Sequence, residues 1–200
     1  MTAATRAIKA SLRRSMLQER EALPRADVVK LSQEIRLLVE ASDLFRQAQS
    51  IGCYSSFRNE VETSPILESA LNSGKIVSVP RTFGNRLMIH GEVTDIRSML
   101  PNEMGILQPR ESAPPVLSAE LDLIIMPGIA FTRQGDRLGF GGGFYDTYLQ
   151  DRSLPVMGLA YDFQMIPEIP REPHDCRVDC IVTKSGIIMS SGGCAKTEGG

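Results

Sequence analysis

LDLIIMPGIAFTRQGDRLGFGGGFYDTYL, residues 121–149, passes from a continuous apolar run to a polar turn, then to a cluster of glycines and a short helical pattern. The run Leu121 to Met126 has the length of a strand and no polar alternation beyond Asp122, as expected where both faces of a sheet are covered. Pro127-Gly128 ends it. Arg133, Gln134, Gly135 and Asp136 form the turn, and the sequence after Asp146 reads as helix through Leu149. A buried strand followed by a glycine loop and a helix is an α/β arrangement.

Four glycines in five positions (Gly139, Gly141, Gly142, Gly143) suit neither strand nor helix interior, because glycine loses the most conformational freedom on ordering. They offer backbone that a ligand can approach, with N–H groups free to face an anion. Arg137 before the loop supplies a fixed fork for phosphate oxygens. Asp146 after it is a carboxylate of the kind Mg²⁺ accepts when phosphates complete its shell. The competing reading is a plain surface turn with a chance arginine and aspartate. No G-x-x-x-x-G-K-[ST] occurs, and Gly139-x-Gly141-x-x-Phe144 lacks the third glycine of the dinucleotide fingerprint.

Outward from this stretch, strands and helices interleave. Ile8, Leu12, Met16 and Glu19, widened by Leu17, fall at helical spacing between Thr5 and Ala22. Lys9 and Arg13 share another face, which by spacing alone is a solvated basic surface. Pro24 breaks the chain before a second helix, Ala26 to Ala41. Ser50 to Ser55 is a strand. Ser64, followed by Pro65, is the expected cap of a helix that Gly74 closes. Lys75–Pro80 and Arg86–Gly91 are strands joined by a tight turn at Gly84-Asn85. Residues 111–119 read as loop, Pro155 to Ala160 as a buried strand, and Val178 to Thr183 as the last strand. Residues 190–200 have the composition of a disordered tail, leaving one domain over residues 1–189. Strands interleaved with helices predict an α/β class with a largely parallel sheet.

Composition narrows the function. Two hundred residues with 42% hydrophobic content suit one core. A net charge of −2 and an isoelectric point near 5.8 argue against a general nucleic-acid or membrane-surface binder. No apolar run reaches the roughly 20 residues of a membrane span, and the first residues lack a secretory apolar core. The expected compartment is the cytoplasm. Cys176 and Cys180 near His174 do not have zinc-site spacing.

The segment PGIAFTRQGDRLGFGGGFYDTYL closely resembles the signature of the 5-formyltetrahydrofolate cyclo-ligases, and other pieces of the chain agree with it. The resemblance implies a single three-layer α/β/α Rossmann-like sandwich with a largely parallel, partly mixed sheet, and an ATP- and Mg²⁺-dependent conversion of 5-formyltetrahydrofolate to 5,10-methenyltetrahydrofolate, with ADP and phosphate released. It implies that Lys9, Ala10, Ser11, Leu12 and Arg13 belong to the ATP site, matching the family's K-x-x-L-R helix. The ATP site also takes Arg137, Leu138, Gly139, Phe140, Gly141, Gly142, Gly143, Phe144 and Tyr145. Ser55 and Glu60, with Phe140 to Phe144, would contact the folate; Arg137 and Tyr145 would act in catalysis; Asp146 and Asp175 would hold Mg²⁺. Gln108 and Gln164 fall in further matching elements. Phe144 stands where many members have tyrosine, Gly142 where some have lysine, and Thr132 where aspartate is usual. The partners implied are the two small molecules alone, with no nucleic acid and no membrane, and the chain is expected to be a monomer. The alternative is a non-catalytic folate- or nucleotide-binding relative of the same fold. It would have lost Arg137, Asp146 or the Lys9–Arg13 pair, all of which are present.

Overall fold

The computed structural model describes residues 2–83, 86–150, 153–172 and 175–191. The Gly84-Asn85 turn, His174, and the tail from Gly192 onward lie outside them.

The helices are α1 (Ala3–Glu21), α2 (Arg25–Ala41), α3 (Asp43–Gln47), α4 (Ser64–Asn72) and α5 (Phe144–Tyr148). The strands are β1 (Ser50–Cys53), β2 (Ile76–Thr82), β3 (Met88–Glu92), β4 (Leu100–Pro101), β5 (Leu107–Gln108), β6 (Pro115–Val116), β7 (Leu123–Met126), β8 (Ala130–Phe131), β9 (Arg137–Leu138), β10 (Val156–Leu159), β11 (Cys180–Thr183) and β12 (Gly186–Met189). The main sheet has the order β12-β11-β10-β7-β1-β2-β3-β6. Its five middle strands, β11 to β2, run parallel, and β12, β3 and β6 add antiparallel edges. This is the largely parallel, partly mixed α/β sheet expected.

The parallel strands are buried on both faces, which is why β7 reads as an unbroken apolar run. Alternate residues still go to opposite sides. Ile51, Val77, Leu123, Ile125, Met157 and Val182 face α2 and α4, meeting Ile35, Val39, Ile66 and Leu67. Ile124, Met126, Val156 and Ile181 face the other way, against Phe131, Leu149 and Leu154. Each such side chain contributes roughly 1.5–3 kcal/mol by leaving water. The second face carries a thin layer, α5 with the β8–β9 hairpin, and glycine makes room for it. A Cβ on Gly52 would lie 2.8 Å from the His90 ring, and one on Gly158 would lie 2.6 Å from the Phe131 ring.

Several local expectations are corrected. The cap of α4 is Thr63, with Ser64 already helical; the Thr63 hydroxyl donates to the Tyr54 carbonyl (2.7 Å) and ties β1 to the helix entry. Residues 111–119 are not all loop, because Pro115–Val116 pairs with β3 as an edge strand, where a proline's missing N–H is tolerated. β11 is not the last strand, since β12 returns antiparallel to it. Ser190, assigned to the tail, donates from its amide to the Asp179 carbonyl (2.9 Å). In α1 the buried stripe is rotated from the one expected. Ile8 is half exposed and Glu19 exposed, whereas Lys9 and Arg20 are buried beside Leu12, Met16 and Leu17. Those charges are covered because each meets a carboxylate.

Candidate active site

The chain leaves β1 for α4, on one face of the sheet, and leaves β7 toward α5, on the other. Adjacent strands whose connections diverge open a crevice at their carboxyl ends, the usual ligand position in such sheets. Here it holds a cavity of about 420 Å³. Tyr54, Ser55, Phe57 and Glu60 line it from the end of β1, and Pro127 from the end of β7. Arg137 and the run Gly139 to Asp146 form another wall, while Met104, Ile106 and Gln108 come from the β4–β5 hairpin. Leu17 and Arg20 of α1 close it.

The glycine loop is held from beneath. The buried Gln164 side chain donates to the carbonyls of Gly128 (3.0 Å) and Ile129 (2.9 Å) and accepts from the Tyr161 amide (2.9 Å), which fixes the segment after β7. Thr132 and Asp136 close the β8–β9 turn through a reciprocal side-chain bond (3.2 Å) and the Asp136 amide (3.1 Å). Gly141 and Gly143 have φ of 98° and 71°, where a side chain would be strained. The amides of Phe140, Gly141, Gly142 and Gly143 donate to no acceptor among the described residues. Such donors, on a loop rich in glycine, form a ready cradle for an anion.

Cations surround that cradle. Arg13 Nε donates to the Gly139 carbonyl (2.8 Å). Arg137 donates to Asp146 Oδ1 (3.0 Å) and to the Pro127 carbonyl (3.4 Å), and its guanidinium lies 5.6 Å from the Tyr145 ring centre. Lys9, buried, binds Asp175 Oδ2 at 2.7 Å with Glu172 Oε2 at 3.8 Å. Asp146 Oδ1 also accepts the Cys176 amide (3.2 Å). Among the described residues no three His, Cys, Asp or Glu side chains converge as a metal cage. Asp146 on the cavity wall fits an ion whose shell is completed by phosphate oxygens and water. Asp175 does not line the cavity and meets Lys9 instead.

At the β1 side, Glu60 is buried. Its Oε2 accepts the Phe57 amide (2.9 Å), and its Oε1 lies 3.6 Å from Arg20. Burial raises its proton affinity, which Arg20 and then the Phe57 amide oppose. The Tyr145 hydroxyl is buried without a hydrogen-bond partner, and burial pushes its ionisation well above the ordinary phenol range. It remains a neutral donor.

The expected residues therefore gather in part. Ser55, Glu60, Arg137, Gly139 to Phe144, Tyr145 and Asp146 line one cavity. Lys9 and Arg13 stand behind the glycine loop, and Leu138 and Leu12 pack into the small core beneath it. Ala10 and Ser11 are exposed on α1. Sequence reasoning missed Arg20, Phe57, Thr82 and Met88. Arg20 alone left a signal, standing seven residues after Arg13 and so on the same helical face.

These features define an α/β protein with an anion-cradling cavity at the divergence of two parallel strands. The model of the 5-formyltetrahydrofolate cyclo-ligase family matches residues 5–184, and the chain belongs to that family. It is 33% identical to 5-formyltetrahydrofolate cyclo-ligase from Mus musculus over 186 residues, 86% of this chain and 91% of the relative. It is 32% identical to the mitochondrial 5-formyltetrahydrofolate cyclo-ligase of Arabidopsis thaliana, over 92% of this chain and 75% of the relative. Among solved structures, 5,10-methenyltetrahydrofolate synthetase from Aquifex aeolicus matches with a TM-score of 0.82 at 27% identity, covering 93% of this chain and 94% of that one. The Mycoplasma pneumoniae 5,10-methenyltetrahydrofolate synthetase matches with a TM-score of 0.72 at 25% identity, over 88% and 98%.

Proposed function

We propose that the protein closes 5-formyltetrahydrofolate to 5,10-methenyltetrahydrofolate with consumption of ATP. The observation that supports this best is one cavity with a buried carboxylate, Glu60, on one wall and the Arg137–Asp146 pair with an unpartnered amide loop on another. A formyl oxygen is a poor leaving group. Transfer of the γ-phosphoryl of ATP onto it gives an iminium phosphate and ADP; N10 then attacks the activated carbon and releases its proton to solvent, and the C–O bond breaks with loss of phosphate.

Little covalent work falls to the protein, and positioning with charge compensation dominates. Arg137 and the amides of Phe140 to Gly143 would bind the transferring phosphate, with Lys9 and Arg13 adding positive charge from α1. Mg²⁺ bound with the nucleotide would add neutralisation at the phosphate oxygens; Asp146 would hold it, directly or through water, and Asp175, outside the cavity, through water alone. Glu60 and Ser55 would orient the folate, and the Tyr145 hydroxyl would donate to a reacting oxygen. Among the described residues no helix is long and apolar enough to cross a membrane. We place the activity in the cytoplasm, in a monomer acting on small molecules alone.

The test is absorbance growth of the methenyl product from 5-formyltetrahydrofolate, with and without Mg·ATP. The wild type should form product only with ATP. Asp146→Ala, which frees Arg137 and removes the metal-side carboxylate, should lower kcat by at least about a hundredfold. Folate binding without product would assign the chain to the non-catalytic alternative.

A further inference from the structure

We propose that Arg20 is a positioning residue that holds both walls of the cavity in register, keeping Glu60 an anionic acceptor on one side and seating the Phe140 ring of the glycine loop on the other. This rests on reading Glu60 as a folate-binding carboxylate. The geometry begins at the end of α1. Arg20 is 2% exposed, and its Nε is buried without a hydrogen-bond partner. A buried cation is costly unless it meets compensating charge. Arg20 meets two groups, and both line the cavity: Glu60 Oε1 at 3.6 Å and the face of Phe140, 5.5 Å from guanidinium carbon to ring centre.

The first contact is too long for a hydrogen bond but close for a Coulomb pair. Arg20 therefore favours the ionised carboxylate while the Oε1 lone pairs remain open to an incoming N–H donor, and Oε2 is occupied by the Phe57 amide. The other groups that interact with Glu60 do not replace Arg20. Tyr54, Tyr145 and Tyr161 are phenols that burial keeps neutral, as it does the Cys53 thiol behind Tyr54. Arg58, on the same loop, pairs with Glu21 at 2.6 Å. The spacing between Arg20 and Glu60 is also fixed by the backbone. Asn59, next to Glu60, donates its side-chain amide to the carbonyls of Arg20 (3.1 Å) and Leu23 (3.0 Å). Phe140, otherwise 53% exposed, has this buried cation as its partner.

The experiment measures binding of 5-formyltetrahydrofolate without ATP across pH for the wild type, Arg20→Gln, Arg20→Lys and Phe140→Leu, alongside product formation with ATP. Wild-type affinity should fall on the acid side as Glu60 takes up a proton. In Arg20→Gln that limb should move upward by about one pH unit or more, and the affinity at the wild-type midpoint should drop by about fivefold or more. Arg20→Lys keeps the charge and should keep the limb in place. Phe140→Leu should weaken binding without moving it. Should Arg20→Gln fail to fold by circular dichroism, the last two variants decide: a limb displaced upward in Phe140→Leu, or one displaced in Arg20→Lys, overturns the assignment. A folded Arg20→Gln with the wild-type limb also overturns it. A wild type that binds folate with this limb but forms no product removes the cyclo-ligase reading while the limb still decides for Arg20. No folate binding at any pH overturns both.

Discussion

His90 is fully buried on β3, where its Nδ1 shares a hydrogen bond with the Ser78 hydroxyl (3.0 Å) and its ring stacks on Tyr148 of α5, 4.9 Å between centroids. Its Nε2 has no partner, so the ring is neutral, and burial lowers its ionisation from 6.5 to about 3. The consequence for stability has a definite sign. Below 6.5 the unfolded chain takes up a proton that the folded ring refuses, so His90 supports the fold above 6.5 and that support is lost as pH falls toward 3. The loss should approach about 1.4 kcal/mol per pH unit within that window. Urea unfolding of the wild type and His90→Phe at pH 7, 6, 5 and 4 checks it: the variant should show the flatter decline. Equal slopes would mean that His90 titrates normally. The sequence offered His90 no role, because nothing in an alternating strand pattern distinguishes a buried histidine from an exposed one. Arg137 and Asp146 were legible for the opposite reason, since they bracket a glycine run that has no use in a core.

At the scale of elements, the two turns that shape the β8–β9 hairpin and the glycine loop make different demands on the same residue type. Gly143 has φ of 71°, but a Cβ there would touch Arg86 only at ordinary contact distance, 3.5 Å. Gly143→Ala should cost about 1–2 kcal/mol, the left-handed penalty alone. Gly135 has φ of 88°, and a Cβ there would collide with the Val178 carbonyl and lie 2.8 Å from Ser190 Cβ. The Gly135 carbonyl also accepts the Val178 amide (2.9 Å), joining the hairpin to β11. Gly135→Ala should therefore lower the melting temperature distinctly more than Gly143→Ala, although Gly143 lines the cavity and Gly135 does not; the reverse order in a thermal melt would contradict this. Element existence was well marked in the sequence wherever packing is two-sided, as in β7 and β10. The edges were not. β6 is two residues with a proline, and β12 alternates partly covered and exposed positions, so neither carries the apolar run that betrays a buried strand.

For the whole molecule, the informative element is α1. Its apolar seam is weak, with only Leu12, Met16 and Leu17 packed on the small core beneath the glycine loop. What docks it is a ladder of cations: Lys9 to Asp175, Arg13 to the Gly139 carbonyl, and Arg20 to Glu60. The sequence showed the basic face and the helical spacing, but the carboxylates that bury it lie dozens of residues away or more, and no local pattern reports them. A helix held mainly by polar contacts should open below the global unfolding limit. ATP that engages the same loop and cations should then oppose that opening. At a hundred times the dissociation constant, binding adds about 2.7 kcal/mol to any opening that destroys the site. Hydrogen exchange of residues 3–21 should slow by about a hundredfold on addition of Mg·ATP, the same factor as amides of β7 and β10 that exchange through global unfolding, because both openings destroy the site. Without nucleotide, Arg13→Ala, which removes the bond to the Gly139 carbonyl, should speed exchange in α1 more than in β7. If α1 exchanges equally fast with and without bound nucleotide, the helix is no part of the site, and Lys9 and Arg13 serve the fold alone.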